Sequence, residues 1–425
     1  MNGVRELRTD TQAVLLLCGY FGRAGDGTVK PLAGGEYSRL AKWLIERKRR
    51  PADLLEMAES ELEDLVEAKL DPSRVRMLLQ RGAALALAAE KWLRSGLWVI
   101  SRSDDAYPKR LKKLLGIDAP PILYGAGDVQ LLLSGGLAVV GSRNASESSL
   151  EFARAVSGRC GVEGLAVVSG GARGIDSAAM QAAGEAGGVV LGVLAEALLQ
   201  AIRNRHNRIG IEARKLVLVS PFYPEAGFNA GNAMARNRCI YALADYALVV
   251  QSDFNKGGTW AGATENLREG WVPVFVWREL QSAGNRELIR KGARPFDYDP
   301  RTHDSLRTYL ESRTEQQESE LFSRGAGETI TAKQETAEYR TVPPTSTTTA
   351  PDLVARIPLD LYEEFLIRLN AVLADKPMSP KDIGKSLGLE AAQVRAWLRK
   401  AEVAGAVETR GKAKKYALVQ RRLFE

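Results

Sequence analysis

Four short segments of the sequence set small residues beside cationic ones. That combination lets a backbone close on a phosphate while a side chain neutralises its charge. They are Gly141-Ser142-Arg143-Asn144, Ser169-Gly170-Gly171-Ala172-Arg173-Gly174-Ile175-Asp176, Arg236-Asn237-Arg238 and Lys256-Gly257-Gly258-Thr259. Each adjoins a short apolar run and reads as a loop or helix start at a strand end. The third precedes Ile240 to Leu243, whose apolar residues face a sheet, and this puts Arg236 and Arg238 at a helix start. A dinucleotide-cofactor site is disfavoured, because Gly141-Ser142-Arg143-Asn144 is not G-x-G-x-x-G and no acidic residue ends the second run. One tight turn, or one arginine pair, would be ordinary surface chemistry. Four such loops on one sheet edge are expected to bring Arg143, Arg173, Arg236, Arg238 and Lys256 together as a polyanion site. Arg173 has a structural alternative, a pair with Asp176.

The residues for other chemistries are sparse. Two histidines, His206 and His303, offer little for a triad or a metal site. Cys18, Cys160 and Cys239 are odd in number and far apart, so neither a disulfide framework nor a zinc site is indicated. No cofactor, metal or catalytic residue is expected.

The elements that must position the loops are legible between Leu97 and about Asp299. Apolar runs Leu137–Val140, Leu165–Val168, Val189–Leu194, Leu216–Val219, Tyr246–Val250 and Val272–Val276 alternate with helical stretches. Continuous apolar strands between helices imply a parallel sheet covered on both faces. The fold class is therefore α/β, a Rossmann-like doubly wound sheet over residues 99–304, with ligands at the C-terminal strand ends. Residues 1–98 read as a helical domain, either a plain packing module or a SAM- or helix-hairpin-helix-like binding module. Residues 305–354, ending in Pro343-Pro344-Thr345-Ser346 and a threonine run, have the composition of a flexible linker. Residues 355–425 read as a winged helix, with a Ser379 cap, Pro380 at the first helical position and a basic turn between two strands. There Arg395 and Arg399 would face a major groove and Lys412 and Lys414 would sit in the wing, or the domain would contact protein instead.

The chain of 425 residues carries a formal net charge of +7, a mild basic bias that fits a polyanionic partner without demanding one. Its hydrophobic share of 45% is enough for a core. The first ten residues have no signal-peptide character, and no run of about 18 apolar residues exists to span a membrane. A reducing cytoplasm is the expected location.

Taken together, these segments resemble the DNA-processing protein A family (DprA, also called Smf). An entry segment of type D-x-x-Y-P-x-x-L stands at Asp104, Tyr107, Pro108 and Leu111, followed by Pro120 to Gly125. The V-G-S-R motif is Val140 to Arg143, S-G-x-A-R-G-I-D is Ser169 to Asp176, and R-N-R-x-I is Arg236 to Ile240. Lys256 to Thr259 matches the K-S-G-S loop, and Gly284 to Ala293 matches a further glycine-bounded stretch. The resemblance implies a protein without catalysis that binds single-stranded DNA in its basic pocket and loads the RecA recombinase in DNA uptake, natural transformation and recombination. It also implies a homodimer formed through the Rossmann-like domain. The sequence departs from the pattern at Met180, where the family has histidine, at Gly257 and Thr259, where it has serine, and at Phe275 to Arg278, where Pro-Gly is missing. The segment Gln200–Arg208 is unusually rich in arginine. Two alternatives remain at this stage. One is a nucleotide-sensing or nucleotide-processing protein of the related SLOG group, as in phage defence, although Glu265 is wrongly spaced from Gly257-Gly258-Thr259 for phosphoribohydrolase chemistry. The other is a transcription regulator that reads duplex DNA with the winged helix.

Overall fold

The computed structural model describes residues 7–21, 29–227, 229–278, 282–302 and 304–325, and in the C-terminal part 369, 373, 377–387, 394, 397–398, 401–402, 407–410 and 415–418. The chain forms two compact units, Met1–Thr331 and Ala332–Glu425.

The first unit opens with helices α1 (Thr9–Cys18), α2 (Gly34–Glu46), α3 (Glu59–Leu62), α4 (Pro72–Leu79) and α5 (Gly82–Arg94). Asp71 caps α4 by accepting from the Ser73 N–H at 3.0 Å, with Pro72 at the first position. Trp92 of α5 is fully buried and meets Tyr124 edge-on at 5.1 Å, which joins these helices to the core beneath the sheet.

Next come β1 (Trp98–Ser101), α6 (Lys109–Leu115), β2 (Ile122–Ala126), β3 (Leu137–Val140), α7 (Glu147–Val162), β4 (Val167–Ser169), α8 (Ile175–Glu185) and β5 (Val190–Val193). The unit continues through α9 (Leu198–Ala201), α10 (Arg205–Glu212), β6 (Leu216–Ser220), α11 (Ala230–Leu243), β7 (Tyr246–Val249), α12 (Gly257–Glu269), β8 (Val274–Trp277), α13 (Ala283–Arg290), β9 (Arg294–Phe296) and α14 (Leu306–Gly325). Nine strands lie in the order β1-β2-β6-β5-β4-β3-β7-β8-β9. All six apolar runs are strands. The sheet extends beyond them, because β1 and β2 pair antiparallel and β2 meets β6 antiparallel, so it is parallel only from β6 to β9.

The chain starts the parallel part at β3, winds outward to β6, then returns to β7 beside β3. The switch point, where a ligand crevice forms, lies between β3 and β7. Alternation along β3 shows the two layers. Leu137 and Val139 pack with Ala153, Val156 and Cys160 of α7, while Ala138 and Val140 pack with Ile240 and Leu243 of α11.

The linker expected from residue 305 begins instead as helix α14. Leu306, Tyr309 and Leu310 form a short apolar stripe, and Leu306 and Leu310 are fully buried. Glu163, at the end of α7, caps this helix from outside by accepting from the N–H groups of Leu306 at 2.9 Å and Arg307 at 3.1 Å.

In the second unit the described residues include α15 (Pro380–Leu387) and the antiparallel pair β10 (Val407–Arg410) and β11 (Lys415–Leu418). Ser379 caps α15 by accepting from the Asp382 N–H at 3.3 Å. Ile383, Val394, Leu398 and Val407 share a small core. Arg395, Arg399, Lys412 and Lys414 lie outside the described residues. Among the described residues no helix is long and apolar enough to cross a membrane.

Candidate nucleic-acid interface

The loops after β3, β4 and β7 are stitched to one another at the switch point. The Ser142 N–H donates to the Gln251 carbonyl at 2.9 Å, and the Gln251 side chain accepts from the Ser146 N–H at 2.9 Å. The Thr259 hydroxyl donates to the Gly141 carbonyl at 2.9 Å, which ties the start of α12 to the β3 loop. Gly174, at a φ of +92°, lets the β4 loop press against Ser142, whose carbonyl oxygen would lie 2.5 Å from any added Cβ.

Under these loops lies a buried ion pair. Arg236 is 4% exposed, and its guanidinium stands 3.9 Å from the buried Asp176 carboxylate at the start of α8. It fits there only because residue 170 has no side chain, since a Cβ at Gly170 would sit 1.5 Å from the guanidinium. Burial pushes the Asp176 carboxyl up to about 6, against the opposing pull of Arg236 and of the backbone at Gly141, Ala172 and Gly170. At neutral pH it is therefore ionised. Burial lowers the basicity of Arg236, but a guanidinium keeps its proton in a protein. The Arg236 Nε is buried with no hydrogen-bond partner. An unpartnered buried donor is costly unless a ligand completes it.

Arg236 lines a cleft of about 320 Å³ with Arg143, Gly170, Gly171 and Ala172. The opposite wall is built from Leu194–Ala197 after β5 and from Gln200, Ala201, Asn204 and Asn207 on α9 and α10. Arg143 is exposed, and its charge is felt at Arg236. Of the expected cations, Arg143 and Arg236 are brought together.

The others are not in the cleft lining. Arg173 is exposed and donates to the Asn144 side chain at 3.1 Å, so the pairing with Asp176 belongs to Arg236 instead. Arg236 and Arg238 do not start a helix. Helix α11 begins at Ala230, capped by Asn229, and Arg236 lies in its second turn and Arg238 in its third. Arg238 turns the other way, 3.0 Å from Asp118 and 2.8 Å from Glu265. Asn237 donates to the Gly258 carbonyl at 3.1 Å and holds the α12 turn. Lys256 is exposed at the N-cap of α12, with Gly257 behind it at a φ of +80°. Ser169 is buried and donates to the Val139 carbonyl at 2.6 Å, which makes it a strut between β4 and β3.

Sequence reasoning missed three features. Asp176 is the buried counter-charge of Arg236. The wall from Glu196 to Asn207 overlaps the arginine-rich segment Gln200–Arg208, yet what lines the cleft there is Glu196, Gln200, Asn204 and Asn207 rather than the arginines. Phe254, 56% exposed, stands edge-on to Trp260 at 5.2 Å in the loop before Lys256. Its signal was a lone aromatic two residues from the lysine.

The family model "DNA recombination-mediator protein A" matches residues 98–305. The chain is 33% identical over 199 residues to Protein Smf of Escherichia coli, a match that covers 46% of this chain and 53% of that protein. It is 30% identical over 205 residues to the DNA processing protein DprA of Bacillus subtilis, covering 47% of this chain and 68% of that protein. The match thus spans about half the length of the first relative and about two thirds of the second. The crystallised DNA processing protein A of Streptococcus pneumoniae has the same fold, with a TM-score of 0.52 at 22% identity over 69% of this chain and 95% of that one.

Proposed function

The chain belongs to the DNA recombination-mediator protein A (DprA/Smf) family, and from that premise we propose that it is a recombination mediator whose cleft at the C-terminal ends of β3, β4 and β5 grips the phosphates of single-stranded DNA. The carrying observation is the pair of cleft arginines, Arg236 with its buried guanidinium and Arg143 beside it, set against the Gly170–Ala172 turn. A phosphate oxygen is the charge-assisted acceptor that two guanidinium groups suit. The cleft is narrow and made of loops, which suits a single strand with splayed bases better than a duplex. Phe254 offers a face on which a base stacks, and Lys256 and Arg173 extend the cationic rim along the same strand ends. Gly141, Ser142, Ser169, Asn237, Gly258 and Thr259 hold the loops in place.

As part of this proposal the bound strand is protected and passed to the RecA recombinase in DNA uptake and recombination. The protein acts in the cytoplasm as a homodimer formed through the Rossmann-like domain, and residues 355–425 form a winged helix. Glu265 is engaged by Arg238, which supports binding over phosphoribohydrolase chemistry. The test is fluorescence anisotropy of a single strand and a blunt duplex of equal length, titrated across a salt series. The single strand is expected to bind more tightly at every salt concentration. Equal affinities would refute the cleft as the principal contact.

A further inference from the structure

One wall of the cleft turns on a strained residue. Ala197, before α9, stands at a φ of +50° and a ψ of +36°, the left-handed region in which a Cβ crowds the following carbonyl oxygen. Among the described non-glycine residues with positive φ, it alone lines the cleft. Such a conformation persists only where the surroundings over-determine it. Here they are the turn that follows β6. The Ala197 N–H donates to the Ala226 carbonyl at 2.8 Å, and the Leu199 N–H donates to the Pro224 carbonyl at 3.0 Å. The Ala226 N–H closes the turn by donating to the Tyr223 carbonyl at 2.8 Å. Helix α5 of the N-terminal module anchors this turn from behind. The Tyr223 ring meets the fully buried Trp92 edge-on at 6.1 Å. Glu225 pairs with Lys91 and accepts from the Tyr223 hydroxyl at 3.2 Å. Lys91, Trp92, Tyr223 and Glu225 are all absent from the cleft lining.

We propose that Tyr223 and Glu225 are positioning residues, a strut through which α5 of the N-terminal module holds the Ala197 turn in its left-handed state and so keeps the cleft in its binding geometry. The inference rests on the single-strand reading above and adds a role for residues 1–98 in it. Each link of the strut is a contact given above, from Trp92 and Lys91 to Tyr223 and Glu225, then through the Pro224 and Ala226 carbonyls to Leu199 and Ala197. Without the strut, an alanine at position 197 relaxes toward negative φ and the wall leaves its place. Affinity then falls in proportion to the fraction of molecules that keep the turn. A glycine at that position populates positive φ about as readily as negative φ, so it retains the turn without support.

The experiment uses the full chain, with anisotropy titrations of a single-stranded oligonucleotide and amide exchange at Ala197 and Leu199. Tyr223→Ala is expected to weaken binding about fivefold, the cost of one unsupported left-handed alanine. The salt slope should stay parental, because no phosphate contact is lost. Exchange at Ala197 and Leu199 should quicken, while the Ser142 amide, bonded to the Gln251 carbonyl on the other side of the cleft, keeps its protection. Adding Ala197→Gly should recover part of the lost affinity. Glu225→Ala removes no core volume, breaks both the Lys91 pair and the Tyr223 bond, and should act in the same direction if Tyr223→Ala does not fold. A merely structural strut gives another pattern: the melting temperature falls, the folded variants bind as the parent does, and Ala197→Gly recovers nothing. That pattern overturns the proposal. Parental binding by Tyr223→Ala or Glu225→Ala, beside weakened binding by Arg143→Ala, overturns the strut and spares the single-strand reading. If the parent binds no single strand, that reading falls, and unchanged exchange at Ala197 in the variants overturns the strut as well.

Discussion

Replacing Arg143 by alanine removes one cation from the cleft without touching the packed core, because the residue is exposed on the loop after β3. On single strands each lost phosphate contact lowers the log–log salt slope by about 0.7. The same term sets the loss of affinity. It amounts to about 0.6 log units, a factor of about four, at about 0.15 M salt, and to about a factor of eight at about 0.05 M. Arg238→Ala is the matched control. It has the same charge and lies on α11 with Arg236, but it is held between Asp118 at 3.0 Å and Glu265 at 2.8 Å. Its removal should leave the slope unchanged and reduce stability by no more than about 1 kcal/mol, the range of partly exposed ion pairs. Anisotropy at four or five salt concentrations gives both slopes, and thermal melts establish that the variants are folded. The loss for Arg143→Ala should be the same for every base composition, since a phosphate contact carries no sequence information. A folded Arg143→Ala protein with the parental slope, or an Arg238→Ala protein flattened to the same degree, would refute the assignment of the cleft.

Three further outcomes follow from the pairs and units described. Arg236→Met should destabilise the fold by about 3 kcal/mol at neutral pH in urea unfolding, because it strands the buried Asp176 charge, and adding Asp176→Asn should recover much of that loss. The recovery should shrink as pH falls. Asp176 sits at about 6 in the parent because burial raises it and Arg236 opposes that rise, so without Arg236 its folded value lies higher still; the stabilisation by its proton is full below the ordinary value of 3.8 and is lost as pH rises through that raised folded value. Glu163→Ala should loosen α14 and lower stability by about 1 kcal/mol, read as faster amide exchange at Leu306 and Arg307. Burial pushes the Glu163 carboxyl up, but those N–H groups together with Arg159 and Ser305 outweigh it and hold the carboxyl below its ordinary value of 4.5, so its contribution is present above 4.5 and lost as pH falls through the lowered folded value. A chain ending at Thr331 should fold and retain single-strand binding, since every cleft residue lies in the Met1–Thr331 unit. Loss of binding by that folded fragment would move the principal contact to residues beyond it.

The six central strands were legible because a strand buried on both faces is apolar without interruption, and helical stretches separate the runs. The edge strands were not. Strand β2 holds Gly125 under the Trp98 ring and β9 is Arg294-Pro295-Phe296, so neither offers a long apolar run. Helix α14 was hidden for a related reason. Its stripe is only Leu306, Tyr309 and Leu310, and its start is capped by Glu163, more than 140 positions earlier in the chain. No local pattern reports a cap delivered from that distance.

The site was legible as a set of loops but not as a geometry, and α11 shows where the line falls. Arg236 and Arg238 look equivalent as a pair of cations flanking an asparagine. A helix turns about 100° per residue, so two positions set their side chains about 200° apart and only one can share the cleft. Part of the phase was present in the sequence. Arg236, Cys239, Ile240 and Leu243 fall at spacings of three, four and seven and all four are buried, although Tyr241 and Ala242 are buried as well, so the stripe broadens to all sides of the helix toward its end. An arginine on such a stripe cannot be solvated and must find a counter-charge. The nearest one comes from another loop, as Asp176 in the S-G-x-A-R-G-I-D segment. Read for phase as well as for charge, the sequence separates the buried arginine, which faces Asp176, from the outward one, which Asp118 and Glu265 satisfy. What it does not contain is the facing wall. Glu196, Asn204 and Asn207 acquire a direction only when β5, α9 and α10 fold back over the Gly170–Ala172 turn.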